Sequence, residues 1–247
     1  MLEQDARSLV TPLGVSARAV AADDASIDKQ VLATVLSVIA GSTDVVSFLG
    51  LAGLFTAHIT GNLILIAARI VNGNEVSLSH ILAVPVFILA LALTRLLVQA
   101  LETRGVASLR PLLVLQFLLL SGFLALCVVQ GRGLDQSSTG AVIAGMLGVA
   151  AMAVHNGLVQ LSLRGMPSTA VMTTNITRFT LNFMQMLIGR DADLVTKSRQ
   201  QAKLNFVTIL GFTGGAAIGA LAFRFTGFWA LIIPTSLALS AIFMKRG

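Results

Sequence analysis

The first 30 residues are polar, and from Val31 onward the chain becomes a succession of apolar runs separated by short polar breaks. Eight runs stand out, at residues 31–54, 56–71, 81–98, 111–129, 139–163, 169–188, 204–223 and 228–244. A helix that crosses a bilayer core needs about 20 apolar residues, and six of the runs approach that length. The second and sixth do not fit. Residues 56–71 are short and open with Thr56, His58, Thr60, Gly61 and Asn62, while residues 169–188 carry Thr173, Thr174, Asn175, Thr177, Arg178, Thr180, Asn182 and Gln185. Neither suits a rod surrounded by lipid. The polar positions 56, 58, 60 and 62, and the set 169, 171, 173 and 175, recur every second residue. That period predicts a short extended stretch leading into a half-helix, although the pairs 56/60 and 58/62 also fit a helix.

The two odd runs resemble each other. Thr56-Ala57-His58-Ile59-Thr60-Gly61-Asn62-Leu63 aligns with Thr169-Ala170-Val171-Met172-Thr173-Thr174-Asn175-Ile176, with four of eight positions identical. The flanking apolar runs recur in the same order. The sequence therefore reads as a polar tail (1–30), a first membrane repeat (31–133) and a second (139–247).

Composition narrows the class. Charged residues make up 11% of the 247 positions, apolar residues 55%, and Tyr is absent; the mean hydropathy is +0.88. A soluble domain carries about 25% charged residues, so this is the composition of an integral membrane protein. A single cysteine, Cys127, excludes an internal disulfide and a cysteine-based zinc site. The net charge of +6 does not predict a nucleic-acid partner, because the basic residues lie between apolar runs and form no stripe with aromatics. The run at Val31 starts too late and is too long to be a signal-peptide core. The tail is expected to be retained, mobile and cytoplasmic.

Orientation follows from the basic residues. If all eight runs crossed, the cytoplasmic side would hold ten Lys/Arg and the outer side Arg95, Arg104, Arg110, Arg164 and Arg224. If the second and sixth runs re-enter instead, thirteen lie inside and only Arg132 and Arg224 outside, with Arg69 and Arg178 left within the odd runs. The positive-inside rule favours the second arrangement. The expected fold is all-α: six full transmembrane helices plus two re-entrant half-helices, in two inverted repeats, with both termini cytoplasmic. Inverted repeats with broken helices near the midplane are a recurrent plan of secondary transporters.

The polar intramembrane positions are the candidate chemistry. Half-helices meeting at the centre would present free N–H groups and positive dipole ends to a small anionic or polar solute. Thr56, Thr60, Thr173, Asn62 and Asn175 would line that site; the competing reading has them cap helices or bond to neighbouring helices. Asn156, facing Asp44 in the gapped alignment of the repeats, joins the candidates. Asp44 stands 13 residues into a 24-residue apolar run. A charge there costs about 2.5–3.5 kcal/mol on insertion scales, so it should face protein or water, as a proton carrier or as a paired carboxylate joining helices. Arg178 is its expected counter-charge or an anion clamp, against the alternative of snorkelling to the interface. His58 and His155 sit near the repeat motifs at non-equivalent places and read more readily as hydrogen-bonded packing residues than as metal ligands. Gly211, Gly215 and Gly219, four apart, form a ridge for close helix contact within the subunit or in a homo-oligomer. Common nucleophile, zinc and nucleotide motifs are missing, and no metal or cofactor is expected.

Residues Asp44 to Asn62, with the box Phe55-Thr56-Ala57-His58-Ile59-Thr60-Gly61-Asn62, resemble the signature of the YoaK-like family of small bacterial inner-membrane proteins. His155-Asn156-Gly157-Leu158 and Thr173-Thr174-Asn175-Ile176-Thr177 resemble the family's second box, with departures: His155 stands where the family has Gln, and Asn175 and Arg178 enter the box. The resemblance covers residues 30–245 and implies a bacterial cytoplasmic membrane, with no mechanism attached. The residues thus lead to a secondary transporter or channel-like permease for a small polar or anionic solute, with Asp44 as the residue available for proton coupling. An intramembrane enzyme using Asp44 and His58, or a regulatory membrane subunit, are the alternatives. The lipid bilayer is the one partner common to all three.

Overall fold

A computed structural model describes the backbone of residues 13–28 and the whole of residues 29–131 and 138–244. The described residues form eight α-helices: α1 Leu13–Gly50, α2 Ile59–Val71, α3 Leu78–Glu102, α4 Leu109–Gln130, α5 Thr139–Ser162, α6 Met172–Ile188, α7 Ala192–Thr226 and α8 Ile232–Phe243, with a 3-10 turn Gly227–Leu231 leading into α8. Lys29–Gly50, Leu78–Glu102, Leu109–Gln130, Thr139–Ser162 and the continuous stretch Ala192–Phe243 are each long and apolar enough to cross a membrane. The chain is a multi-pass helical membrane protein. Large apolar side chains such as Ile88, Leu93, Leu118 and Leu221 point outward, as expected of a surface whose solvent is lipid.

Two apolar clusters divide the bundle lengthwise and fix the running direction of the helices. One gathers Leu32 and Leu36 from early α1, Val98 from the end of α3, Leu112 from the start of α4, Leu158 from late α5 and Ala241 from the end of α8. The other holds Val46 from late α1, Ala83 from early α3, Cys127 from late α4, Ala141 from the start of α5 and Leu231 just before α8. Helices α1 and α4 therefore run one way, and α3, α5 and α8 the other. Helix α7 runs with α1, because Gly211, Gly215 and Gly219 meet Thr34, Val38 and Ser42 in that order.

That glycine ridge works inside the chain. A Cβ on Gly219 would stand 3.0 Å from the Ser42 Cα, and one on Gly215 would run into the Val38 carbonyl. From the other side, Gly41 on α1 lies against the Phe212 carbonyl of α7. The two backbones touch, so of the two contacts the sequence offered for the ridge, within the subunit or in a homo-oligomer, the described residues form the first.

Helices α2 and α6 break the alternation. At the end of α1, Ala52 (φ 55°) and Gly53 (φ 87°) adopt left-handed backbone, and the Gly53 N–H donates to the Phe48 carbonyl, as in a Schellman cap. The chain turns back into the bundle until Thr56 reaches Asp44. Asp44 lies six residues before Gly50, about 9 Å below the helix end at 1.5 Å per residue. Helix α2 then climbs 13 residues, about 20 Å, and Arg69 near its end donates to the Ala52 carbonyl at 2.7 Å. The chain has returned to the level it left. Likewise, Thr169 reaches His155, seven residues before Ser162 at the end of α5, and α6 follows from Met172 and leads into α7.

The fold departs from the sequence reading in two local respects. Helix α1 extends back through the polar tail to Leu13, so residues 13–28 continue the first span. The extended stretches are shorter than a two-residue period implied: α2 starts at Ile59 and α6 at Met172, which puts Thr60, Asn62, Thr173 and Asn175 on helices.

Candidate functional site

Between α1 and α2 the backbone is not helical, so its N–H groups lack the partners a helix would supply. At membrane depth there is no bulk water to replace them, and side chains must. Asp44 Oδ1 accepts from the N–H of Thr56 (2.8 Å) and of Ala57 (2.7 Å), and from the Thr56 hydroxyl at 3.3 Å. Asn62 takes the preceding residue at both ends: its Oδ1 accepts from the Phe55 N–H at 3.0 Å and its Nδ2 donates to the Phe55 carbonyl at 2.8 Å. Three consecutive N–H groups are thus satisfied by two side chains. Thr56 also meets the Ser47 hydroxyl at 3.2 Å.

The second carboxylate oxygen of Asp44 lies 2.7 Å from His58 Nδ1. The pair spans a boundary, with the Asp44 side chain 5% exposed and that of His58 40%. A carboxylate on Nδ1 fixes the ring's orientation and its tautomer, leaving Nε2 with no hydrogen-bond partner among the described residues. His58, Asp44, Thr60 and Gly61 line a cavity of about 530 Å³ between α1, α2 and α7, whose remaining wall is apolar: Val45, Phe48, Phe55, Ile64, Leu65, Phe212 and Ala216, with Gly41. Phe212 stands edge-on to His58, ring centres 5.3 Å apart.

The second repeat builds a different interior. His155 is fully buried, with Nε2 2.6 Å from the Thr169 hydroxyl and Nδ1 2.9 Å from Gln116 Nε2 on α4. Both ring nitrogens are used, which makes this a sealed packing group. Asn175 Nδ2 donates to the Ser168 carbonyl at 2.5 Å, seven residues back as in the first repeat, while its buried Oδ1 finds no partner among the described residues. Asn156 bonds back to the Met152 carbonyl.

The structure therefore brings together Asp44, Thr56, His58, Thr60 and Asn62, and keeps Asn156, Thr173, Asn175 and Arg178 apart from them. Arg178 and Thr173 are exposed on α6, and the partner of Asp44 is His58, where the sequence suggested Arg178. The reason is depth. Arg178 is six residues into α6, about 9 Å back toward the end of α5, which puts it close to where the bundle ends. Among the described residues, those that line the cavity beside Asp44 include none from the second repeat's motif. Sequence reasoning missed Phe212 and Gln116. Gln116 is a lone amide in an apolar helix and could have been noticed; nothing in the pattern connects Phe212 with His58. Among the described residues no group of three His, Cys, Asp or Glu side chains could hold a metal ion.

The class is a helical membrane bundle in which a buried carboxylate holds the loop between α1 and α2. Residues 32–244 match the family described as "Protein of unknown function (DUF1275)", and the chain belongs to that family. No curated protein and no solved structure matches it.

Proposed function

We propose that this protein is a secondary transporter or channel-like permease for a small polar solute, with Asp44 and His58 as its proton-handling pair. The observation that carries the reading is an ionisable residue buried within a membrane bundle, tied to a partly exposed imidazole on a discontinuous element that opens on a cavity. Intramembrane acids of this kind commonly mark solute or proton paths. Nε2 of His58 can take up a proton from the cavity while the Asp44 carboxylate balances its charge.

The architecture belongs to the same proposal: two inverted repeats of three spans each, with α2 and α6 re-entering from opposite sides. In its favour, α1 and α5 run in opposite directions, as they do only if one of the three intervening helices fails to cross. The close parallel pair α1·α7 has its counterpart in α5·α3, where Thr94 and Leu91 press on Gly157. The charge count then favours cytoplasmic termini, and the YoaK-like resemblance a bacterial cytoplasmic membrane. Purified protein in liposomes should move at least one member of a panel of small polar solutes under an imposed pH gradient, and Asp44→Asn should abolish that movement. Movement that Asp44→Asn leaves intact contradicts the proposal.

The apolar wall favours a second reading, an intramembrane enzyme working on a lipid-soluble substrate with His58 as general base. Turnover of a membrane lipid by wild type and not by His58→Ala, followed by mass spectrometry, would support it.

A further inference from the structure

We propose that the cavity beside His58 takes an ammonium group carried on a small apolar or aromatic body, and rejects anions; this rests on the permease reading of the same site. A re-entrant half-helix invites an anion because the loop before it exposes N–H groups, but here three of those loop groups are taken. The N–H groups of Phe55, Thr56 and Ala57 are bound by Asn62 and Asp44, so the protein's own carboxylate occupies the position an anionic solute would need. What is left facing the cavity, besides the Thr60 hydroxyl, is the Nε2 of His58, an acceptor in the neutral ring because Nδ1 is committed to Asp44. Among the described residues that line the cavity, Asp44 carries the formal charge and none is Lys or Arg. Arg69, further along α2, is turned to the carbonyls of Ala52 and Glu75.

The rest of the wall fits the same ligand. Phe48, Phe55 and Phe212 line it; Phe55 and Phe212 lie 6.1 and 5.3 Å from the His58 ring, and Phe48 lies 4.7 Å from Phe55. Aromatic faces attract a cation within about 6 Å and welcome an apolar body beside it. An ammonium N–H donating to Nε2 would have the Asp44 carboxylate one ring away as its counter-charge. A volume of about 530 Å³ falls in the range of ordinary small-molecule sites.

The test uses the full chain in lipid nanodiscs and equilibrium dialysis of radiolabelled dimethylbenzylammonium, with benzenesulfonate and benzyl alcohol as competitors. The expected result is saturable amine binding that benzenesulfonate does not displace, weakened about tenfold or more by Asp44→Asn through loss of the charge, and weakened also by Phe212→Leu. His58→Gln, which leaves the Asp44 bonds to the loop in place, provides a second variant should Asp44→Asn fail to fold; it too should weaken binding. Amine affinity unchanged in these variants, or benzenesulfonate bound as well as the amine, overturns the proposal. Saturable amine binding without flux in liposomes would keep this site and remove the permease reading. Transport of an anion that the amine does not inhibit would do the reverse.

Discussion

Asn62 grips both the N–H and the carbonyl of Phe55, seven residues earlier in the chain, and so closes the loop that carries His58. Asn175 repeats the contact with Ser168, but through its Nδ2 alone. A buried hydrogen bond contributes about 1 kcal/mol net, and a donor left unpaired costs about 1–3 kcal/mol. Asn62→Ala should therefore destabilise the protein by about 2–3 kcal/mol and Asn175→Ala by about 1 kcal/mol. Thermal unfolding in detergent checks the order; equal effects would mean that the two loops are not held in the way described.

Asp44 has two separable tasks. Its Oδ1 satisfies the N–H groups of Thr56 and Ala57, which an amide oxygen can also do, while its charge faces His58. Asp44→Asn should keep the fold, with a loss of no more than about 1 kcal/mol, and lose function. Asp44→Ala leaves two buried donors unpaired and should cost about 2–5 kcal/mol. Comparing the two variants by unfolding and by flux separates the tasks; an Ala variant as stable as the Asn variant would contradict them.

The α1·α7 contact predicts a steric failure. A leucine at Gly215 would meet the Val38 backbone, which cannot withdraw as a flexible side chain could, so Gly215→Leu should cost at least about 2 kcal/mol. In a Cys127→Ser background, cysteines at Thr34 and Gly211 should form an internal disulfide. On a non-reducing gel, the product should migrate as a compact monomer. A covalent dimer would return the glycine ridge to a subunit interface.

Much of this arrangement was legible in the chain because membrane solvation is strict. Long apolar runs become helices, and polar residues in short runs mark where the backbone departs from them, so the odd character of 56–71 and 169–188 was plain. The equivalence of Asn62 and Asn175 followed from the repeated Thr-Ala-x-x-Thr-x-Asn pattern, whereas their bonds to the residue seven back did not. Which of the two residues named beside Asp44, Arg178 or His58, pairs with it was not legible. Arg178 carries the complementary charge, but pairing depends on how deep each dip goes, and that is set by the Ala52–Gly53 turn and by where α6 begins. The sealing of His155 by Gln116 is equally a matter of helix neighbours 39 residues apart. The glycine ridge announced a close contact without naming the surface it would meet.

The central claim is that α2 and α6 each return to the side from which they entered. Single cysteines placed at Asn74, between α2 and α3, and at Gly165, between α5 and α6, in the Cys127→Ser background can be labelled with a membrane-impermeant maleimide in intact cells and in inverted vesicles. The account predicts Asn74→Cys labelled only from outside and Gly165→Cys only from inside. The opposite pattern at both positions would mean that the two short helices cross, and would contradict it.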